Sequence, residues 1–284
     1  MSRSATCGSS AQDSDPLSTD PTGLEVIRTD AENPRATIVL VHGAWHGAWC
    51  WHDGFAQQLA AAGISTVAPS LRGHAGSADG VRLNRMRMRD YVDDVASVVA
   101  SCDAPPFLAG HSMGGGVVQG FLARNGAPPI AGAALLASMP PRGVIGVTTK
   151  VALHHPANFL AANATLNLGR LVRSPEQVRE LFFSANAPDT VVESTTYRTQ
   201  SESYLAFLDM LVLDRPKPRP LDVPLLVLGA TDDTIFPPAD VAATAKAWGT
   251  EPVMVSGIAH DVMLDPGWKR VAETLASWVL AQLA

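Results

Sequence analysis

The sequence predicts an α/β fold: a mostly parallel sheet with helices on both faces and a helical cap inserted between two strands. Three observations carry that prediction. Short apolar runs rich in β-branched residues alternate with segments of helical periodicity from Ala36 to Ala137. A tight glycine-rich turn, Gly110-His111-Ser112-Met113-Gly114, joins one such run to one such segment. The alternation then stops across 141–220 and resumes at Pro224.

Size and composition agree with this class. A chain of 284 residues can bury one large core and carry an inserted subdomain. With 46% hydrophobic and 17% charged residues, it is a packed globule rather than a disordered chain. A net charge of −6 argues against nucleic acid or an anionic membrane as partner. The basic run Arg82, Arg85, Arg87 and Arg89 reads as a solvated face, with a docking site for an acidic group as the alternative. The three cysteines, Cys7, Cys50 and Cys102, lack paired spacing, which fits a reducing compartment and a cytoplasmic location. Residues 1–22 are rich in Ser and Asp and hold no apolar stretch, so they read as a flexible tail and not as a signal peptide. No run of about 18 apolar residues occurs, so no membrane span is expected. The expected division is a tail over 1–22, a core over 23–140 and 221–284, and a cap over 141–220. No feature sets an oligomeric state.

The elements follow in order. Residues 24–29 alternate as an edge strand does, and Ala36–Val41 is continuous and β-branched, a strand buried on both faces. Phe55, Leu59 and Ala62 share a helical face that stops at Gly63. Residues 64–68 form the next strand, and Tyr91, Val92, Val95, Val98 and Val99 mark an amphipathic helix. Phe107, Leu108 and Ala109 enter the glycine-rich turn, and Val117, Val118, Phe121 and Leu122 follow it at helical spacing. Residues 130–137 are a strand. Helical patches then occupy 151–153, 159–171, 175–183 and 204–213, closed by a proline-rich exit at 215–220. Strands return at 224–229 and 253–255. Asp265-Pro266 reads as the N-cap and first turn of a last helix carrying Val271, Leu275, Trp278 and Val279.

Chemistry concentrates where strands end. A G-x-S-x-G turn between strand and helix strains the serine backbone and lifts its hydroxyl clear of the sheet, so Ser112 is the candidate nucleophile. The Met113 N–H, at the helix start, is then aimed at an oxygen beside that hydroxyl. A serine needs a base, usually a His held by a carboxylate, and the chain order Ser, acid, His is expected in this architecture. His260 follows the strand at 253–255, and Asp232 and Asp233 follow the strand at 224–229. Either aspartate could orient the base, the other capping the next turn. After Ala36–Val41 comes His42-Gly43-Ala44, whose Ala44 N–H is the second candidate oxyanion donor. His42 reads as a structural brace for that loop. Trp45, Trp49 and Trp51 are candidates to wall the pocket, as is His111 beside the serine. His42 and His46 are four apart but lie in a loop without an intervening Glu, so no metal is expected. No dinucleotide or P-loop signature opens the chain, and no cofactor is expected.

These residues resemble the α/β-hydrolase superfamily from Leu24 onward. HGAWHGAWCW (42–51), GHSMGG (110–115) and AHDVMLDPGW (259–268) are similar to its plant methylesterase and hydroxynitrile lyase branch and to bacterial esterase relatives. The resemblance implies an α/β-hydrolase fold and hydrolysis of a small or medium carboxylic ester through an acyl-enzyme. It implies Ser112 as nucleophile, His260 as base, Asp233 as orienting acid through the family's D-x-x-x-P spacing to Pro237, and Ala44 with Met113 as oxyanion hole. Gly43 and Asp261 stand where the lyases carry Thr and Lys, which argues against cyanohydrin cleavage. The same triad serves cofactor-free perhydrolases and C–C bond hydrolases, and the same fold serves non-catalytic small-ligand receptors. Those are the alternative readings.

Overall fold

The computed structural model describes residues 23–52 and 54–283; the tail expected over 1–22, with Cys7, lies outside them. The first half of the chain lays down β1 (Val26–Thr29), β2 (Ala36–Val41), α1 (Phe55–Ala61), β3 (Ile64–Pro69), α2 (Met88–Ala100), β4 (Phe107–His111), α3 (Met113–Ala123) and β5 (Gly132–Leu136). The second half adds α4 (Ile145–His154), α5 (Pro156–Ala164), α6 (Pro175–Phe182), α7 (Asp189–Arg198), α8 (Tyr204–Leu208), β6 (Leu225–Ala230), α9 (Pro238–Trp248), β7 (Pro252–Val255) and α10 (Trp268–Ala281). The seven strands form one sheet in the order β1-β3-β2-β4-β5-β6-β7. Only β1 runs antiparallel to its neighbour.

Period-two alternation divides the core. From β2, Val39 and Val41 face one layer, where Tyr91, Val95 and Val98 of α2, Val117 and Phe121 of α3, and Trp248 of α9 pack. Ile38 and Leu40 face the other, against Phe55 and Leu59 of α1 and Val271, Leu275 and Val279 of α10. Each such side chain, removed wholly from water, is worth about 1.5–3 kcal/mol. This explains why β2 reads as an unbroken apolar run: it has no solvent face.

Between β5 and β6 the regular elements are all helices, joined by irregular stretches, with α8 passing directly into a π-helical turn over Asp209–Leu213. Packing here is thin. No residue of α4 is fully buried, and only Ala162 of α5 is. α7 (DTVVESTTYR) was not among the helices expected from sequence. Its β-branched residues and lack of an apolar stripe mask it, and only Val192 and Thr195 turn inward.

The last helix departs from expectation. α10 begins at Trp268, and Asp265 is not its N-cap. The buried Asp265 carboxylate instead accepts the Ser184 N–H at 2.7 Å, binding the loop before α10 to the end of α6.

Candidate active site

The carboxyl ends of β2, β4, β6 and β7 converge on Ser112. Its backbone sits at φ 53°, a conformation that side chains rarely adopt. The surroundings enforce it: the Ser112 N–H donates to Leu136 O (3.1 Å), at the end of β5, and its carbonyl accepts from Met139 N–H (3.1 Å), just beyond it. A Cβ at Gly110 would strike the Gly114 carbonyl, so the strand and helix can approach this closely only with glycine there.

His260, on the loop after β7, places Nε2 2.8 Å from Ser112 Oγ and Nδ1 2.8 Å from Asp233 Oδ2. A carboxylate only accepts, so Nδ1 carries the proton and Nε2 is free to take the serine's. The other carboxylate oxygen of Asp233 accepts the Ile235 and Phe236 amides at 2.8 and 2.9 Å, which fixes the acid in place. Asp233 therefore both faces the His260 ring and caps the following turn. Sequence alone assigns those tasks to two different aspartates. Asp232 is exposed and accepts only the Thr231 hydroxyl, at 2.7 Å. A chain of two short bonds from hydroxyl to imidazole to carboxylate, closed off from water, can raise the nucleophilicity of the serine.

Ala44 and Met113 line the same pocket as Ser112. As the first residue of α3, Met113 has an N–H that no helical carbonyl reaches. A Cβ at Gly43 would lie 2.9 Å from His111 Nδ1 and 3.0 Å from Ser112 Cβ, so the loop after β2 lies directly against the serine. His42 braces that loop: the Leu71 N–H donates to Nε2 (3.0 Å), which leaves Nδ1–H to donate to Gly43 O (2.8 Å). Both bonds require the neutral ring, and burial drives its pKa well below the usual value.

The pocket wall is apolar. Trp45, Met139, Leu168, Phe207 and Phe236 line it, within about 780 Å³ of empty space that includes the mouth. Of the aromatic residues expected there, only Trp45 is placed on it. Trp51 is wholly buried in the core, and Trp49 stacks on His46. His111 does not line the pocket either. It sits behind the His260 ring, its Nε2–H donating to His260 O at 2.9 Å, and burial with the nearby His260 lowers its pKa to about 3.

Two further buried acid–histidine pairs had no sequence signal. His46 Nε2 lies 3.1 Å from Asp261 Oδ2, across 215 positions. His74 Nε2 meets Glu202 Oε2 at 2.9 Å, and the Tyr91 hydroxyl donates to Glu202 Oε1 at 2.9 Å. Each partner is visible in the sequence, and Asp261 even follows His260, but spacing says nothing of which acid meets which ring. Among the described residues, no helix is long and apolar enough to cross a membrane.

A serine, an imidazole and a carboxylate joined at the carboxyl edge of a parallel sheet define a class, the α/β hydrolytic enzymes with a nucleophile at a strand–helix turn. The alpha/beta hydrolase family model matches residues 38–274, and the chain belongs to that family. It is 29% identical over 273 residues to a monoacylglycerol lipase of Mycolicibacterium smegmatis, covering 90% of this chain and 92% of that one. Over 91 residues it is 38% identical to methylesterase 7 of Arabidopsis thaliana, covering 30% of this chain and 33% of that one. An esterase from Exiguobacterium antarcticum superposes with a TM-score of 0.72 at 16% identity, covering 92% and 97% of the two chains, a likeness of fold.

Proposed function

We propose that the protein cleaves small or medium carboxylic esters through an acyl-enzyme. The observation that carries this is the pair of 2.8 Å bonds from Ser112 to His260 to Asp233, opening on an apolar pocket. Ser112 Oγ attacks the ester carbonyl while His260 Nε2 takes its proton. The oxyanion forms between the Ala44 and Met113 amides. His260 then protonates the departing alcohol, and the same ring activates water to hydrolyse the acyl-serine. Asp233 holds the ring and offsets the imidazolium charge. The helical segment over 141–220 acts as a cap, since Leu168 and Phe207 come from it and close the acyl side of the pocket. The esterase and lipase relatives support ester hydrolysis as the reaction.

The test is a p-nitrophenyl ester series from acetate to palmitate on the wild type and Ser112→Ala. A short- or medium-chain optimum that vanishes in the variant is expected. Turnover surviving Ser112→Ala would overturn the mechanism, and no turnover of any ester would overturn the reaction.

A further inference from the structure

The Ala44 amide can serve as an oxyanion donor only if the two peptide planes flanking its Cα are held still. The first plane is held by His42, whose Nδ1–H donates to Gly43 O at 2.8 Å. The second is held by His46, whose Nδ1–H donates to Ala44 O at 2.8 Å. The next residue, Trp45, sits at φ 65°, a conformation that leaves the loop under strain unless its neighbours pin it. His46 differs from His42 in one respect: its far nitrogen faces a carboxylate. With Nδ1–H given to a carbonyl and Nε2 at 3.1 Å from Asp261 Oδ2, both ring nitrogens donate, so His46 is an imidazolium. The surroundings agree. Asp261 raises the His46 pKa against its burial, and His46 lowers that of Asp261 against its own. Trp49 and Phe182 cover the ring, and both side chains of the pair are buried.

Asp261 is the residue after His260. Its N–H donates to Phe182 O at 2.9 Å, and its carbonyl accepts the Leu264 and Asp265 amides at 2.8 and 2.9 Å. One end of the buried pair is thus bound to the oxyanion loop and the other to the loop of the base.

We infer that the His46–Asp261 pair is a positioning strut that holds the Ala44 amide in register with the His260 ring, and so acts on the transition state rather than on substrate binding. It rests on the ester-hydrolase reading for its substrate, though not for its geometry. Neither residue touches substrate; both act through Ala44 and His260.

The test compares Asp261→Asn and His46→Gln, singly and together, with the wild type, each checked for folding by its thermal transition. A loosened donor is expected to lower kcat by about 10- to 100-fold, as ångström-scale misplacement does, with KM within about twofold. The double variant should be no worse than the poorer single variant, because both break one strut. A merely structural pair would lower Tm and leave kcat near the wild-type value in the folded protein. Unchanged kcat, or single effects that multiply in the double variant, would overturn the inference. If one variant fails to fold, the other carries the comparison. A second readout is the rate at which a fluorophosphonate labels Ser112, which needs the serine, base and oxyanion site but no ester. Should the wild type cleave no ester, slower labelling of Asp261→Asn still supports the strut, and unchanged labelling overturns it.

Discussion

The loops at the carboxyl edge of the sheet and the helices laid over them share one pocket but are built to different standards. At the edge, Ser112, Asp233, His260, His42, His46, His111 and Asp261 are all buried, and each is held by hydrogen bonds to a neighbouring loop. In the helical segment, Leu153 and Leu160 stand 74% and 68% exposed, and α4 buries nothing completely. The edge spends its packing on aiming groups within fractions of an ångström. The helices present an apolar surface to the pocket and meet the edge at a few points, among them the Phe182 carbonyl that accepts the Asp261 N–H. On the proposed reaction the edge is expected to set the chemistry and the helices the selectivity, a division that can be attacked from either side.

The strongest attack is on the edge. Ser112→Ala should lower kcat by at least about 10⁴-fold, leaving only what the oxyanion site supplies, as steady-state ester hydrolysis will show. Asp233→Asn should cost about 10³- to 10⁴-fold by upsetting the tautomer of His260, whereas Asp232→Asn should stay within about twofold. Equal losses in the two asparagine variants would erase the distinction between the aspartates.

The edge should also show itself in stability. His111 is buried neutral with a pKa lowered to about 3, so between its ordinary value of 6.5 and about 3 the unfolded chain binds a proton that the native one refuses. Its contribution is therefore present above pH 6.5 and lost as pH falls through that window, by about 1.4 kcal/mol per pH unit at most. His42 acts in the same direction. His46 and His74 act in the opposite one, since a raised pKa contributes fully below 6.5 and is lost as pH climbs through the native value. In His111→Asn, urea midpoints at pH 7 and pH 4.5 should lie closer together than in the wild type. An undiminished gap would count against the assignment.

The mildest change belongs to the helices. Phe207→Ala should leave acetate turnover within about threefold but raise the octanoate-to-acetate ratio of kcat/KM about tenfold, by lengthening the pocket. A loss on every ester alike would mean that this segment also aims the chemistry.

The same divide governs what could be read without a structure. Strands β2, β4 and β6 are legible because their buried faces leave continuous apolar runs, and Ser112 and His260 because a strand end and a glycine turn restrict where a reactive group can stand. The helical segment is legible as a gap between strands, but α7 is not, lacking an apolar stripe. Trp49 and Trp51 sit two residues apart in one tryptophan-rich motif with Trp45, yet only tertiary packing decides which indole meets the cavity. Asp265 misleads because Asp-Pro signals a helix start locally, while the Ser184 amide claims the carboxylate from 81 positions away. The link between His46 and Asp261 is wholly a property of the assembled sheet.

The strand order β1-β3-β2-β4-β5-β6-β7 has a temporal consequence. Ala44 is reached early in the chain, Ser112 after β4, and His260 only once β7 has been added at the far edge. A chain still emerging, or one clipped ahead of β7, carries the residues of the first six strands and the Ser112 turn but lacks His260. In refolding, tryptophan fluorescence should recover before fluorophosphonate labelling of Ser112, and simultaneous recovery would refute that sequence. On the proposed mechanism the serine therefore gains its base only with the last strand of the sheet.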